Sequence, residues 1–282
     1  MKLPLTLDAM VEHVGRHLKK TKAVAWIVDE PSAADLDHMK AQTDESRFDP
    51  HRLRATVYAD LVAGKARLVC KRGVVGRSSM KVLAAVYPET EINWSLWGDI
   101  FRTFTGTAGR PVAWRVVLFA HPRPREMPVR SEEPGPAHVN GGYAIAGDPA
   151  SIVIYREEEA PRVLLHEMLH AAGTDDMRNE ESKREVLTET WAELFLVAVK
   201  AKGSRRLAAS LWETQARWIE NQESLLRGSH NVLGPHNYAW RYTVGRSEVL
   251  AGLGIGLGTG AGASSTAKNN SKSLSFTPES LN

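Results

Sequence analysis

The chain has 282 residues, 43% of them hydrophobic and 24% charged, with a formal net charge of +3 and a single cysteine, Cys70. That length accommodates one large domain or two ordinary ones, and the composition is that of a folded chain rather than a disordered one. One cysteine excludes an intramolecular disulfide and any multi-cysteine metal cluster, and the dispersed lysines and arginines give little support for nucleic acid as the main partner.

Residues 5 to 20 predict a helix with Leu5, Leu7, Met10, Val11, Val14 and Leu18 facing inward. Asp8 and Glu12 interrupt this stretch, so it lacks the apolar run of a signal peptide, and no later segment reaches the ~20 apolar residues of a membrane span. A soluble, intracellular protein is expected, or one carried inside a virus particle, with no membrane partner. Between about 23 and 90, "AVAWIV" and "ARLVCKRGVV" predict strands, and "DPHRLRATVYADLVAGKA" predicts a helix ending near Gly64. Residues 1–90 are therefore taken as an N-terminal α+β region.

"NWSLWGDIFRTFTG" (93–106) spaces its aromatic and aliphatic residues as a helix does, and "AWRVVLFAHP" (113–122) is an apolar strand stopped by proline. A loop rich in proline and glycine leads to a strand, "SIVIYR", at 151–156. Three acids and Pro161 then open a helix that stops at Gly173. Further helices are expected from about 179 to 202, ending at Gly203, and from 204 to 228. Residues 91–250 make up the second region. Residues 251–282, rich in glycine and serine, read as a flexible tail.

The helix after "SIVIYR" carries "HEMLH". Residues four apart lie one turn above each other, so His166 and His170 can direct both imidazoles at one point, which suits a single Zn²⁺ ion. Glu167 sits beside that pair without ligating, where a general base for a metal-activated water belongs. The competing reading is a buried helix face on which the histidines only form hydrogen bonds.

Two residues compete for a third metal position. "ETWAE" places Glu189 and Glu193 four apart on the next helix, so Glu189 could ligate while Glu193 fixes a histidine tautomer. Alternatively, "HEMLHAAGTDD" lets the turn at Gly173 bring Asp176 back to the metal. That second pattern resembles the metzincin zinc peptidases, which also use a downstream methionine turn, and no methionine follows Met177. Glu189 is the preferred ligand.

With HExxH on one helix and a glutamate pair on the following one, the segment from about 140 to 200 resembles a zincin metallopeptidase of the gluzincin type. The order "WRVVLFAHPRPREMP", "HVNGGYA", "IVIYREEEAPRVLLHEMLHAAG" and "TETWAELF" is similar to uncharacterised zincin-like proteins of large DNA viruses. The resemblance implies an α+β, zincin-like fold: a mixed sheet packed on the active-site helix, with "SIVIYR" in that sheet and able to pair with an extended peptide, then a helical C-terminal half. It implies zinc-dependent peptide-bond hydrolysis on a peptide or protein substrate, with a donor for the oxyanion. Tyr242 and His236, in "SHNVLGPHNYAWRYTVGR", are the nominated donors. The rival expectation is a catalytically silent protein that keeps the fold for a structural or binding role in a virus particle.

Overall fold

The computed structural model describes residues 3–105, 111–129, 132–257 and 277. The sheet is built from a hairpin outward. β2 (Arg67–Val75) and β3 (Ser78–Val86) pair antiparallel from Val75↔Ser78 to Arg67↔Val86. The two-residue turn between them has Gly76 at φ +59, a value its missing Cβ makes inexpensive. A short strand β1 (Ile27–Val28) pairs antiparallel with β2. On the other side β3 runs parallel to β4 (Ala113–Phe119), and β4 runs parallel to β6 (Ile152–Ile154). β5 (Gly142–Tyr143) closes the order β1-β2-β3-β4-β6-β5 as an antiparallel edge.

The parallel centre is covered on both faces, as the unbroken apolar runs of β3, β4 and β6 require. Alternation along these strands sorts the side chains. Val82, Ala84, Val116, Leu118, Ile152 and Ile154 enter the main core, while Ala85, Val117, Phe119, Val153 and Tyr155 enter a smaller one. Helices α2 (Ala33–Ala41) and α3 (Leu53–Val62) cover the smaller core through Met39, Leu53 and Val57. The main core is built against α1 (Leu5–Lys20), α4 (Trp94–Thr103), α6 (Ala160–Ala171), α7 (Glu181–Ala201) and α8 (Arg205–His230). A four-residue helix α5 (Pro136–Val139), a 3₁₀ helix (Tyr238–Tyr242) and α9 (Gly245–Gly252) complete the described elements. The class is α+β with a mixed open sheet. No helix among the described residues is long and apolar enough to cross a membrane.

Several expectations need correction. Leu5 is exposed because the stripe that α1 buries runs through Leu7, Val11, Val14 and Leu18, and Leu5 lies off it. "AVAWIV" contributes only Ile27 and Val28 to the sheet. No boundary falls near residue 90, since β3 pairs with β4 across it and Leu7 shares a core with Val116 and Val163. β6 has strands on both sides, so the open edge belongs to β5 and not to "SIVIYR". Of the expected tail, residues 251 and 252 end α9, and Ile255 and Thr277 are buried; residues 258–276 and 278–282 lie outside the described residues.

The two helices that matter most for function end as their sequences predict. Pro161 occupies the first turn of α6, and Gly173 at φ +71 follows its end. α7 is stopped by Lys202 and Gly203, both at positive φ. Ser204 caps α8 by accepting a hydrogen bond from the Leu207 amide.

Candidate metal centre

α6 and α7 pack together so that His166 and His170 face one turn of α7. Their Nε2 atoms lie 3.0 Å apart, with the rings inclined at 72°. The carboxylate that meets them is Glu185, whose Oε2 is 3.6 Å from each Nε2. These three donors form the described cluster of metal-ligating type. Tetrahedral zinc with bonds of ~2.0–2.1 Å holds its ligand atoms roughly 3.3 Å apart, so two imidazole nitrogens and one carboxylate oxygen at these separations fit that ion in kind and in spacing.

A carboxylate also stands at the far side of each imidazole. Asp175, just past the end of α6, lies 2.8 Å from His170 Nδ1 and accepts a hydrogen bond from it, which leaves Nε2 as the nitrogen that faces the centre. Glu189 Oε1 stands 3.3 Å from His166 Nδ1, within ion-pair reach but without hydrogen-bond alignment. Arg162, one turn before His166 on α6, holds the other oxygen of Glu189. One turn further on, Glu193 is bound by Arg246 and by Gln215 Nε2 at 3.0 Å. Acids and guanidinium groups thus alternate beneath the centre, each buried charge matched by an opposite one.

Two of the anticipated ligand positions are therefore displaced. Glu189 is not the carboxylate that meets the paired nitrogens: it lies one turn beyond Glu185 and is occupied by Arg162 and His166 Nδ1. Glu193, expected beside a ligand histidine, is a further turn away with Arg246. Asp176 points outward and pairs with Arg178 at 2.7 Å, so Asp175 is the acid of that turn that touches a histidine.

Glu167 is 5% exposed and lines a cleft of about 250 Å³ together with His166, His170, Glu185 and Tyr242. Burial raises its pKa to about 7, although both histidines pull it the other way. Gly142 lets β5 run directly over this residue, because a Cβ there would come within 2.6 Å of Val163 Cγ1 and 3.1 Å of Glu167 Oε1. Burial opposes charge on His170, yet the facing Glu185 carboxylate and the nearby Glu167 carry its pKa up to about 10. His166 is raised as well, burial being outweighed by Glu189 and Glu185. Burial opposes ionisation of Glu185 too, but the two histidines hold it well below the usual carboxylate range. Such a cluster of carboxylates around two imidazoles is suited to a cation.

The two nominated donors separate. Tyr242, at the end of the 3₁₀ helix, lines the cleft; burial and then Glu185 push its hydroxyl pKa well up, so it stays protonated. Its oxygen is 3.5 Å from that of Tyr238, which donates to Asn140 Oδ1 at 3.0 Å. His236 is exposed in the loop before that helix, outside the cleft lining. Comparison of the chain with protein-family models, curated proteins and solved structures finds no match.

Proposed function

We propose that the protein is a zinc-dependent peptide-bond hydrolase in which His166, His170 and Glu185 hold one zinc ion and Glu167 is the general base. The observation that carries this reading is the convergence of both Nε2 atoms, 3.0 Å apart, on Glu185 Oε2, with Glu167 buried beside them. Bound zinc would supply Lewis-acid polarisation of the scissile carbonyl and lower the pKa of the attacking water. Glu167, buried beside the two histidines, would take the proton of that water and return it to the departing amine. Tyr242 donates its hydroxyl proton in a hydrogen bond to the oxygen that gains charge.

The substrate chain is held by β5. Its outer edge has no partner strand among the described residues, and Gly142, Tyr143 and Ala144 border the cleft. An extended peptide adding to that edge would lie over Glu167. An antiparallel edge strand above an HExxH helix, with the third ligand on the next helix, supports a zincin-like fold of gluzincin type.

The test has two stages. Elemental analysis of purified protein should give about one zinc per chain, lost in His170→Ala. Chelator-sensitive cleavage of a peptide library should vanish in Glu167→Gln while zinc content is retained. Full zinc occupancy with no cleavage of any peptide would leave a binding protein in place of a hydrolase.

A further inference from the structure

A second cavity, of about 920 Å³, opens on the opposite side of the α6 C-terminus. Phe104, Trp114, Leu169, Leu187, Trp191 and Phe195 form much of its wall, and its size falls within the ~300–1,000 Å³ of small-molecule sites. It shares Asp175 and Arg184 with the metal cleft.

The charges on this wall are not equally committed. Asp175 is engaged by His170 and Asp176 by Arg178. Arg184 is half-buried and gives Nη1 to the Asn179 carbonyl at 2.7 Å; among the described residues no carboxylate lies within ion-pair distance of it. An uncompensated guanidinium beside a large apolar volume matches a molecule with an anionic head and a hydrocarbon body. A sugar or nucleotide would leave polar groups unpaired against the aromatic wall, and a neutral hydrocarbon would make no use of the Arg184 guanidinium, which can form a charge-assisted contact with a carboxylate.

We propose that this cavity is a binding site for an aliphatic monocarboxylate of the fatty-acid class, with its chain among Phe104, Leu187, Trp191 and Phe195 and its carboxylate on Arg184. The site stands apart from the hydrolase reading and is expected with or without zinc. An occupant would rest against Asp175, the group that orients His170, and so would sit one residue away from the metal centre.

Bromododecanoate is a direct probe, because bromine quenches indole fluorescence on contact and Trp114 and Trp191 line the cavity. Saturable quenching is expected in both zinc-loaded and chelator-treated protein. Arg184→Gln should weaken it about tenfold, the effect of losing one charge-assisted contact. Ala172→Trp, at an exposed position on the cavity margin, should abolish it while leaving the melting temperature unchanged. Bromododecanol, lacking the charge, should bind wild type and Arg184→Gln alike. Quenching that does not saturate, or that is equal for bromododecanoate in wild type and Arg184→Gln, overturns the proposal.

Discussion

Asp175 lies 2.8 Å from His170 Nδ1 and so determines which nitrogen of that ring faces the candidate metal centre. A carboxylate in this position fixes the tautomer and makes the opposite nitrogen a better donor, and removing such a partner commonly costs 10–100-fold in metal affinity. Asp175→Asn should therefore weaken zinc binding by about that factor in competition with a chelator of known affinity. Asp176→Asn, altering an exposed neighbour paired only with Arg178, should leave zinc affinity unchanged.

Glu185 and Glu189 predict opposite outcomes when each is changed to glutamine. Glu185→Gln removes the carboxylate nearest both Nε2 atoms and should lower zinc content. Glu189→Gln should retain zinc but destabilise the fold by ~1–3 kcal/mol, because Arg162, 1% exposed, loses its nearest carboxylate and keeps Glu193 only at 3.8 Å. Urea denaturation and metal analysis on the same samples distinguish the two. Zinc lost from Glu189→Gln and kept by Glu185→Gln would restore the assignment drawn from the sequence.

The reason that the structure brings Glu185 and not Glu189 to the paired nitrogens lies beyond the spacing of the residues themselves. Glu181, Glu185, Glu189 and Glu193 recur every four positions on α7, so local spacing makes all four equivalent. Only the crossing of α6 and α7, a long-range packing event, selects Glu185 for the two histidines and gives Glu189 to Arg162. By contrast, the pairing of His166 with His170 is a property of one helical turn and was legible directly. The same division runs through the fold. Long helices bounded by Pro161, Gly173, Gly203 and Ser204 could be read from local signals, whereas β5, two residues long, and α2 and α9 carry too little periodicity to stand out. Asp175 and Asp176 are neighbours of one type, and only the turn after α6 decides which of them points at His170.

The raised pKa of Glu167 makes a prediction about stability in the metal-free protein. Its folded value of about 7 lies above the ordinary 4.5, so the folded state holds the proton more tightly than the unfolded one. The stability from this residue is fully present below pH 4.5 and is lost as pH rises through about 7. At about 1.36 kcal/mol per pH unit, the shift is worth on the order of 3 kcal/mol. Chelator-treated Glu167→Gln should therefore exceed wild type in unfolding free energy by up to that amount near pH ~8, with the gap closing as pH falls toward 4.5. A gap that widens on acidification would reverse the assigned sign.

Gly142 tests the seating of β5. A methyl group there would meet Val163 Cγ1 at 2.6 Å and the Val153 carbonyl oxygen at 2.9 Å, and the carbonyl belongs to the paired strand and cannot turn aside. Gly142→Ala should cost ~1–3 kcal/mol of stability through overpacking and should lower peptide cleavage by lifting the edge strand from Glu167. Zinc content should not change, since the three atoms nearest the added group belong to Val163, Val153 and Glu167 and not to His166, His170 or Glu185.

Tyr242 separates transition-state stabilisation from binding. It lines the same cleft as Glu167 and the two histidines, and its phenol stays protonated because burial and Glu185 both disfavour the phenolate. A donor that acts only as charge develops on the substrate oxygen lowers kcat when removed and leaves KM nearly unchanged. Tyr242→Phe should therefore reduce kcat by about 10²-fold, within the range for loss of one oxyanion donor, with zinc content and fold intact. Tyr238→Phe supplies the comparison, because its hydroxyl is already committed to Asn140 Oδ1 at 3.0 Å and stands 3.5 Å from Tyr242. Its removal should cost severalfold at most. Equal losses in the two variants would assign the effect to packing of the 3₁₀ helix and withdraw Tyr242 from the reaction.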